Sequence, residues 1–195
     1  LVDQYGVCEG RTSALPYSVM SASVIYNKQI FADHQITVPQ TWSDLLAAAD
    51  KLKAAGVTPF YGTFAGTDAW TIGQGWFDYS AGGMVDMKEF FETLHEEGVN
   101  VGPHSRQSFQ KDFLEPMTRM RQLTDNYVNA DAASRTYADG NLAMAQGKAA
   151  MLLQGPWAFS EIAKTAPDLE LGTFPLPMTE DPADLRVRVN MDLAA

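Results

Sequence analysis

The stretch "MLLQGPWAFSEI", Met151 to Ile162, decides how the rest of the chain is read. A short apolar run stops at Gly155-Pro156, Trp157 follows at once, and the chain then turns helix-friendly. A buried strand that passes straight into a helix is half of a β–α unit, so the local pattern already points to helices packed on a sheet. It also raises a question of placement. A core tryptophan belongs in mid-element, facing inward; one at the lip where a strand becomes a helix is in a position to face a cleft. Gly155 lets the backbone turn without a Cβ clash and Pro156 fixes its own φ, so the pair can pin the direction of the ring.

Outward from that junction the alternation continues. "TYADGNLAMAQGK" precedes it with a helical pattern of middling quality, "AAMLLQ" is the strand itself, and "LELGTFPLP" follows as a strand running into prolines. "RVRVNMDLAA" begins a last strand. Further upstream, "LPYSVMSASVIYNK", Leu15 to Lys28, is rich in β-branched and aromatic residues and reads as a strand. "VPQTWSDLLAAADKLKAAG" gives a clear helix: Thr41 is placed as N-cap with Asp44 three residues on, Trp42, Leu45, Leu46, Ala49 and Leu52 recur at helical spacing, and Gly56 closes it. "VTPFYGTF" is a short buried strand leading into the loop "AGTDAW", with a helix expected from Thr71 to about Ala81 and another in "MVDMKEFFETLHEEG". "SFQKDFLEPMTRMRQLTDN" is helical by period, with a kink expected at Pro116. No internal repeat or low-complexity run interrupts the series. The class is α/β, a central sheet flanked by helices.

At 195 residues the chain can form one good core or two small domains. Hydrophobic residues make up 46% and charged residues 19%, a globular composition. The net charge of −10 argues against nucleic acid as a partner, since a phosphate backbone calls for a basic stripe. Cys8 is the only cysteine, so the chain holds no internal disulfide and no thiolate metal site. No apolar run approaches bilayer length. The start lacks an initiator methionine and a basic, apolar leader, and the end stops in mid-alternation; both ends read as cut, and the chain as a segment of a longer protein.

The chemistry-bearing residues narrow the function. His34, His95 and His104 make no His-Glu-x-x-His pair, and no metal or cofactor site is expected. "GQG" at Gly73 to Gly75 lacks the third glycine of a dinucleotide fingerprint, and neither a phosphate-binding loop nor a Gly-x-Ser-x-Gly elbow is present. Acids are plentiful (Glu96, Glu97, Asp68, Asp78, Asp192), but a glycosidase needs two at a fixed separation across a cleft, and spacing along a chain does not supply that. No catalytic residue is assigned. Aromatic residues remain. Tyr17, Trp70, Trp76 and Trp157 stand near predicted element ends beside small or polar neighbours, whereas Trp42, within an amphipathic helix, belongs to the core. Sugars present patches of C–H between hydroxyls, which a flat aromatic face flanked by Asp, Asn or Gln suits.

In order, three motifs resemble the sugar-binding branch of the extracellular solute-binding proteins that serve ABC importers, the maltose-binding-protein group. "LPYSVMSASVIYNKQIF" with "VPQTWSDLLAAADKLKAAGVTPF" resembles its crossover strand, Tyr-Asn-Lys turn and Pro-x-Thr-Trp helix. "YADGNLAMAQGKAAMLLQGPWAFSEI" resembles its Gly-Lys-Ala-Ala-Met strand and Gly-Pro-Trp turn, and "LELGTFPLP" the strand that follows. The resemblance implies a periplasmic-binding-protein-like (type II) fold of two α/β lobes joined by hinge strands, seen here mainly as the second lobe. Residues 1–14 would end the first lobe, 15–28 form the crossing strand, 29–186 the second lobe, and 187–195 the truncated returning strand. It also implies a ligand-binding set: Trp157 as the stacking residue, Trp70 from the loop before the next helix, Met20 and Ser21 from the crossing strand, and Asn190 and Asp192 from the returning one; Tyr17 and Asp68 join the expected set from the reading of the residues themselves. Met20 stands where the maltose-binding-protein group carries a sugar-binding acid, a departure that speaks against maltodextrin itself.

The function so implied is capture of a mono- or oligosaccharide in an inter-lobe cleft and delivery to the membrane subunits of an ABC permease. Closure of a hinge would be the mechanism. The protein would be a monomer, extracellular or periplasmic, lipid-anchored at the cell surface, and not an enzyme. Two alternatives stay open on the residues alone: a glycoside hydrolase using paired carboxylates, and the same fold binding a non-sugar solute such as an anion, a metal or a polyamine.

Overall fold

A computed structural model describes residue 2 and residues 6–194, the side chains of Arg188 and of residues 190–194 excepted. In chain order the elements are β1 (Val7–Cys8), β2 (Arg11–Thr12), β3 (Leu15–Asn27), α1 (Lys28–Asp33), α2 (Trp42–Ala54), β4 (Thr58–Phe60), a π-helical segment (Thr71–Phe77), α3 (Asp78–Gly82), α4 (Met87–Glu97), α5 (Phe109–Asp112), α6 (Leu114–Asn126), α7 (Tyr137–Ala145), β5 (Ala149–Gln154), α8 (Trp157–Ala163), β6 (Leu171–Phe174) and β7 (Arg188–Ala194). β1 and β2 form a small antiparallel hairpin; the other strands form a sheet in the order β4-β5-β3-β6, with β7 also paired to β3.

β3 organises the molecule because it is long enough to serve two settings. Its second half lies between β5 and β6, with Val24 opposite Leu153 on one side and Phe174 on the other. Its first half pairs with β7 instead, from Leu15 opposite Ala194 to Ala22 opposite Arg188. Burial follows the pairing. Residues 15–21 alternate between exposed and half-buried, and from Ala22 to Ile25 every residue is buried. One strand thus runs from a two-stranded ribbon into a sheet covered on both faces.

Strand alternation sorts the core into two layers. Val24, Met151 and Leu153 point to the face covered by Leu45 and Leu52 of α2, with Trp76, Tyr79 and Leu123. Ile25 and Leu152 point to the other, under Met144 of α7 and Ala158 and Ile162 of α8, and Ala149 at the start of β5 joins that cluster. All six residues of β5 are buried, as a strand flanked by a parallel and an antiparallel neighbour and covered above and below requires. A satellite cluster of Ala81, Phe90 and Phe113 sits under α4 and α6. Helices on both faces of the sheet confirm the α/β class read from the alternation.

The predicted Thr41 capping box is present: its hydroxyl accepts from the Asp44 N–H at 3.1 Å and Asp44 accepts from the Thr41 N–H at 3.1 Å. Gly56 follows the helix with a φ of +76°, a conformation that only glycine adopts at little cost. Trp42 is buried as expected, with the Arg119 guanidinium carbon 5.2 Å from its ring centroid. Elsewhere the expectation needs correction. Pro116 does not kink a continuous helix. The helix breaks at Phe113, and Pro116 falls in the first turn of α6, where its missing N–H would have had no helical partner. The helix expected from Thr71 begins as a π-helix before α3. Thr71, Gly75 and Trp76 are its buried residues, and a wide turn brings that spacing to one side. The β1–β2 hairpin and α1, capped by the Asn27 carboxamide at 3.1 Å from the Ile30 N–H, were not foreseen.

Candidate functional site

β4 and β5 run parallel, so the segments that leave their C-terminal ends emerge at one edge of the sheet, where open α/β sheets hold their ligands. From β4 comes the run from Tyr61 to Trp70, and from β5 comes Gly155-Pro156-Trp157. β3 is antiparallel to β5 with Ser23 opposite Gln154, so its ribbon half enters at the same edge.

Trp157 is the first residue of α8 and is half-buried. Its indole N–H donates to the Gln154 side-chain oxygen at 3.0 Å, and Gln154 is itself buried at the end of β5. The ring folds back over Gly155 so closely that a Cβ there would lie 2.1 Å from a ring carbon. This revises the role expected of the glycine. Its φ is outside the left-handed region, so what it supplies is room for the ring, not an unusual turn. Pro156 does as expected, with φ at −64°. One side of the indole packs on the cluster of Ile25, Leu152 and Ile162.

A second aromatic unit stands beside α7. The Trp70 and Tyr137 ring centroids are 5.4 Å apart at 55°. Tyr137 is the first residue of α7, whose start is fixed by a capping box between Thr136 and Asp139. Gly140, one turn further, lets the helix close on the strand, since a Cβ there would meet the Thr63 methyl at 2.8 Å. Asp68 ties the two parts together, its carboxylate accepting from the Tyr137 N–H at 2.8 Å. Burial pushes the Tyr137 phenol pKa up, partly offset by the Asn141 side chain bonded to its hydroxyl. Tyr137 and Trp157 both pack on the α7–α8 face of the sheet, and Tyr61 joins them there. Burial likewise raises the Tyr61 pKa, with Arg135 lowering it. Beside it, the Arg135 guanidinium is held by the Asp131 carboxylate at 2.6 Å, which in turn keeps that carboxylate below its ordinary range.

The remaining candidates divide by position. Alternation along β3 puts Ser21 on the same face as Ser23 and Ile25, the face that carries Trp157, and puts Met20 on the opposite one with Ala22 and Val24. Ser21 and Met20, being adjacent in the strand, therefore point to opposite faces. Tyr17 is the extra residue of a bulge in the β3–β7 ladder and is 71% exposed. It stands four residues along the ribbon from Ser21, about 13 Å at strand rise. The register sets Asn190 opposite Met20 and Asp192 opposite Ser18; both side chains lie outside the described residues. Trp76 is core, 2% exposed, with its ring edge-on to Phe60 and Phe64.

Sequence reading missed Tyr137, Tyr61 and Gln154. A capping pattern directly before an aromatic residue was the available signal for Tyr137; the other two gave none. Among the acids named above, Glu96 and Glu97 are engaged by Arg106 on the surface of α4, far along the chain from this edge. Among the described residues no cluster of His, Cys, Asp and Glu could hold a metal ion, and no helix is long and apolar enough to cross a membrane. A cavity of about 720 Å³ lies between α3, the start of α4 and the approach to β7, and none of the aromatic site residues lines it. What the edge of the sheet offers is an open shelf of half-exposed rings with amide and carboxylate groups between them.

Comparison with known proteins places this shelf in context. The family model for bacterial extracellular solute-binding proteins matches residues 3–194. A "multiple sugar-binding protein" of Streptococcus mutans is 29% identical over 167 residues, which cover 84% of this chain and 38% of that protein. A solved "chitin oligosaccharide binding protein" superposes with a TM-score of 0.80 at 24% identity, over 97% of this chain and 46% of that one. The SBP RafE in complex with raffinose does so with a TM-score of 0.75 at 25% identity, over 95% of this chain and 47% of that one. The chain spans about two fifths of the length of the curated relative and just under half of the solved ones.

Proposed function

The chain belongs to the bacterial extracellular solute-binding proteins, and on that premise we propose that it forms most of one lobe of a two-lobe receptor that captures a neutral oligosaccharide for an ABC importer. Residues 29–186 make the lobe, and the β3–β7 ribbon is the hinge between it and a partner lobe, with residues 1–14 leading in from that lobe. Ligand contacts made only when the lobes approach would favour the closed population, and the closed receptor would present the sugar to the permease. The place of work is the outside of the cytoplasmic membrane.

The observation that carries this reading is the seat of Trp157: a half-exposed indole held by Gln154, over a glycine that admits no side chain. A ring fixed before ligand arrives loses little entropy on stacking. Trp70 with Tyr137 supplies a second aromatic surface, which suits a ligand of more than one ring. Ser21, on the same face of β3 as Ser23, is the polar group that the ribbon adds, with Tyr17 further out along it. Relatives named for multiple sugars, chitin oligosaccharide and raffinose support the substrate class.

Calorimetric titration of the full-length protein with raffinose, stachyose and chitin oligosaccharides tests it. Saturable binding to at least one, with the sugar recovered intact, is expected. Hydrolysis of the sugar, or binding only of an anion or a polyamine, would overturn the proposal.

A further inference from the structure

Asp68 is the least expected member of the shelf, because its polar groups face the protein. Its carboxylate accepts from the Tyr137 N–H at 2.8 Å, across 69 residues of sequence. Its backbone carbonyl receives the Thr71 hydroxyl at 2.9 Å, a proton shared with the Thr63 carbonyl. Its own N–H closes a short turn onto the Ala65 carbonyl at 2.8 Å. Thr71 is buried, so the chain just beyond Trp70 is anchored, and the chain two residues before it is anchored by Asp68. Trp70 stands between the two anchors and touches the ring of the residue whose N–H Asp68 holds.

From this arrangement we infer that Asp68 is a positioning residue, locking Trp70 and Tyr137 into one preformed aromatic surface instead of offering its own charge to the sugar. The inference rests on the functional reading above. The physical logic is that the first N–H of a helix has no partner within the helix, and a carboxylate there gains both a hydrogen bond and the favourable end of the helix dipole. Without it, the 66–70 loop loses its tie to α7, and ordering Trp70 becomes a cost met at binding. An asparagine at 68 keeps an acceptor oxygen for the Tyr137 N–H and so keeps the lock; an alanine does not. A residue that bonded the sugar through its negative charge would be damaged by both.

The test uses Asp68→Ala and Asp68→Asn in the full-length protein. Among the described residues, a Trp157→Phe background leaves Trp70 as the half-exposed tryptophan, since Trp42 and Trp76 are buried, and the quenching that disappears on adding Trp70→Phe is its own. In the ligand-free state Asp68→Ala should raise acrylamide quenching of Trp70 about twofold and leave Asp68→Asn near wild type. With Trp157 restored, raffinose affinity should fall about fivefold or more in Asp68→Ala and stay within about twofold in Asp68→Asn. Unchanged quenching in Asp68→Ala overturns the lock, and so does an equal loss of affinity in both variants. A wild-type protein that binds no sugar counts against the functional reading, and the ligand-free quenching still decides the lock.

Discussion

At the scale of the residue, the site is a matter of which atoms each ring lies against. Trp157 was legible in the sequence because Gly-Pro-Trp after an apolar run is a local pattern. What that pattern could not show is where the ring lies, because that depends on its own rotamer and on the Gln154 amide. The consequence is testable at Gly155. A methyl group there would sit 2.1 Å from the indole, so the ring must leave its seat. Gly155→Ala should therefore weaken sugar binding about tenfold while costing about 1–2 kcal/mol of stability, read from titration and urea unfolding of the same variant. Affinity within about twofold of wild type would show that the seat does not matter. Asp68 illustrates the opposite limit of legibility. As a residue it reads as a polar partner for sugar, and only the approach of Tyr137 shows which N–H its carboxylate accepts from.

At the scale of the element, legibility tracked how local the cause was. The capping box of α2 needs only Thr41 and Asp44, three residues apart, and was readable. The break at Phe113 and the π-helical turn are set by packing: Phe113 drops into the cluster with Phe90 and Ala81, and Trp76 into the core with Phe60. No spacing rule within the segment announces either. Contacts between elements were equally out of reach, among them the bond from the Tyr127 hydroxyl, just past α6, to the Asp50 carboxylate of α2 at 2.7 Å. Burial first, and then that bond, push the Tyr127 pKa from 10.0 to about 12. A pKa raised in the folded state means that the contribution is complete below the unfolded value and is lost as pH climbs towards the folded one. Tyr127→Phe should thus be less stable than wild type by about 1 kcal/mol at neutral pH. That difference should shrink between pH 10 and pH 12, followed by urea unfolding across the range. A constant difference would mean that the hydroxyl proton is not held in this bond.

At the scale of the molecule, one strand carries the architecture. β3 is half ribbon and half sheet, and its burial pattern changes at Ala22, where β7 gives way to β5 and β6 as its partners. The alternation of strands and helices was enough to read the α/β class, and the strand itself was readable from its β-branched residues. Its alternating faces were not put to use in choosing between Met20 and Ser21. The strand direction that brings Ser23 beside Gln154 is what places the ribbon at the same edge as Trp157. On this account the shelf is a binding surface first and a structural one second, and Trp157 separates the two. If a pyranose ring covers roughly 100 Å² of the indole, at ~25 cal/mol per Å² the contact contributes about 2.5 kcal/mol. The most direct measurement is the sugar affinity and the melting curve of Trp157→Ala in the full-length protein, side by side. The expected result is an affinity about fifty- to a hundredfold weaker with a stability loss of about 1–2 kcal/mol from the packed side of the ring. A loss of about 3–5 kcal/mol in stability with the sugar affinity unchanged would make Trp157 a core residue and contradict the account.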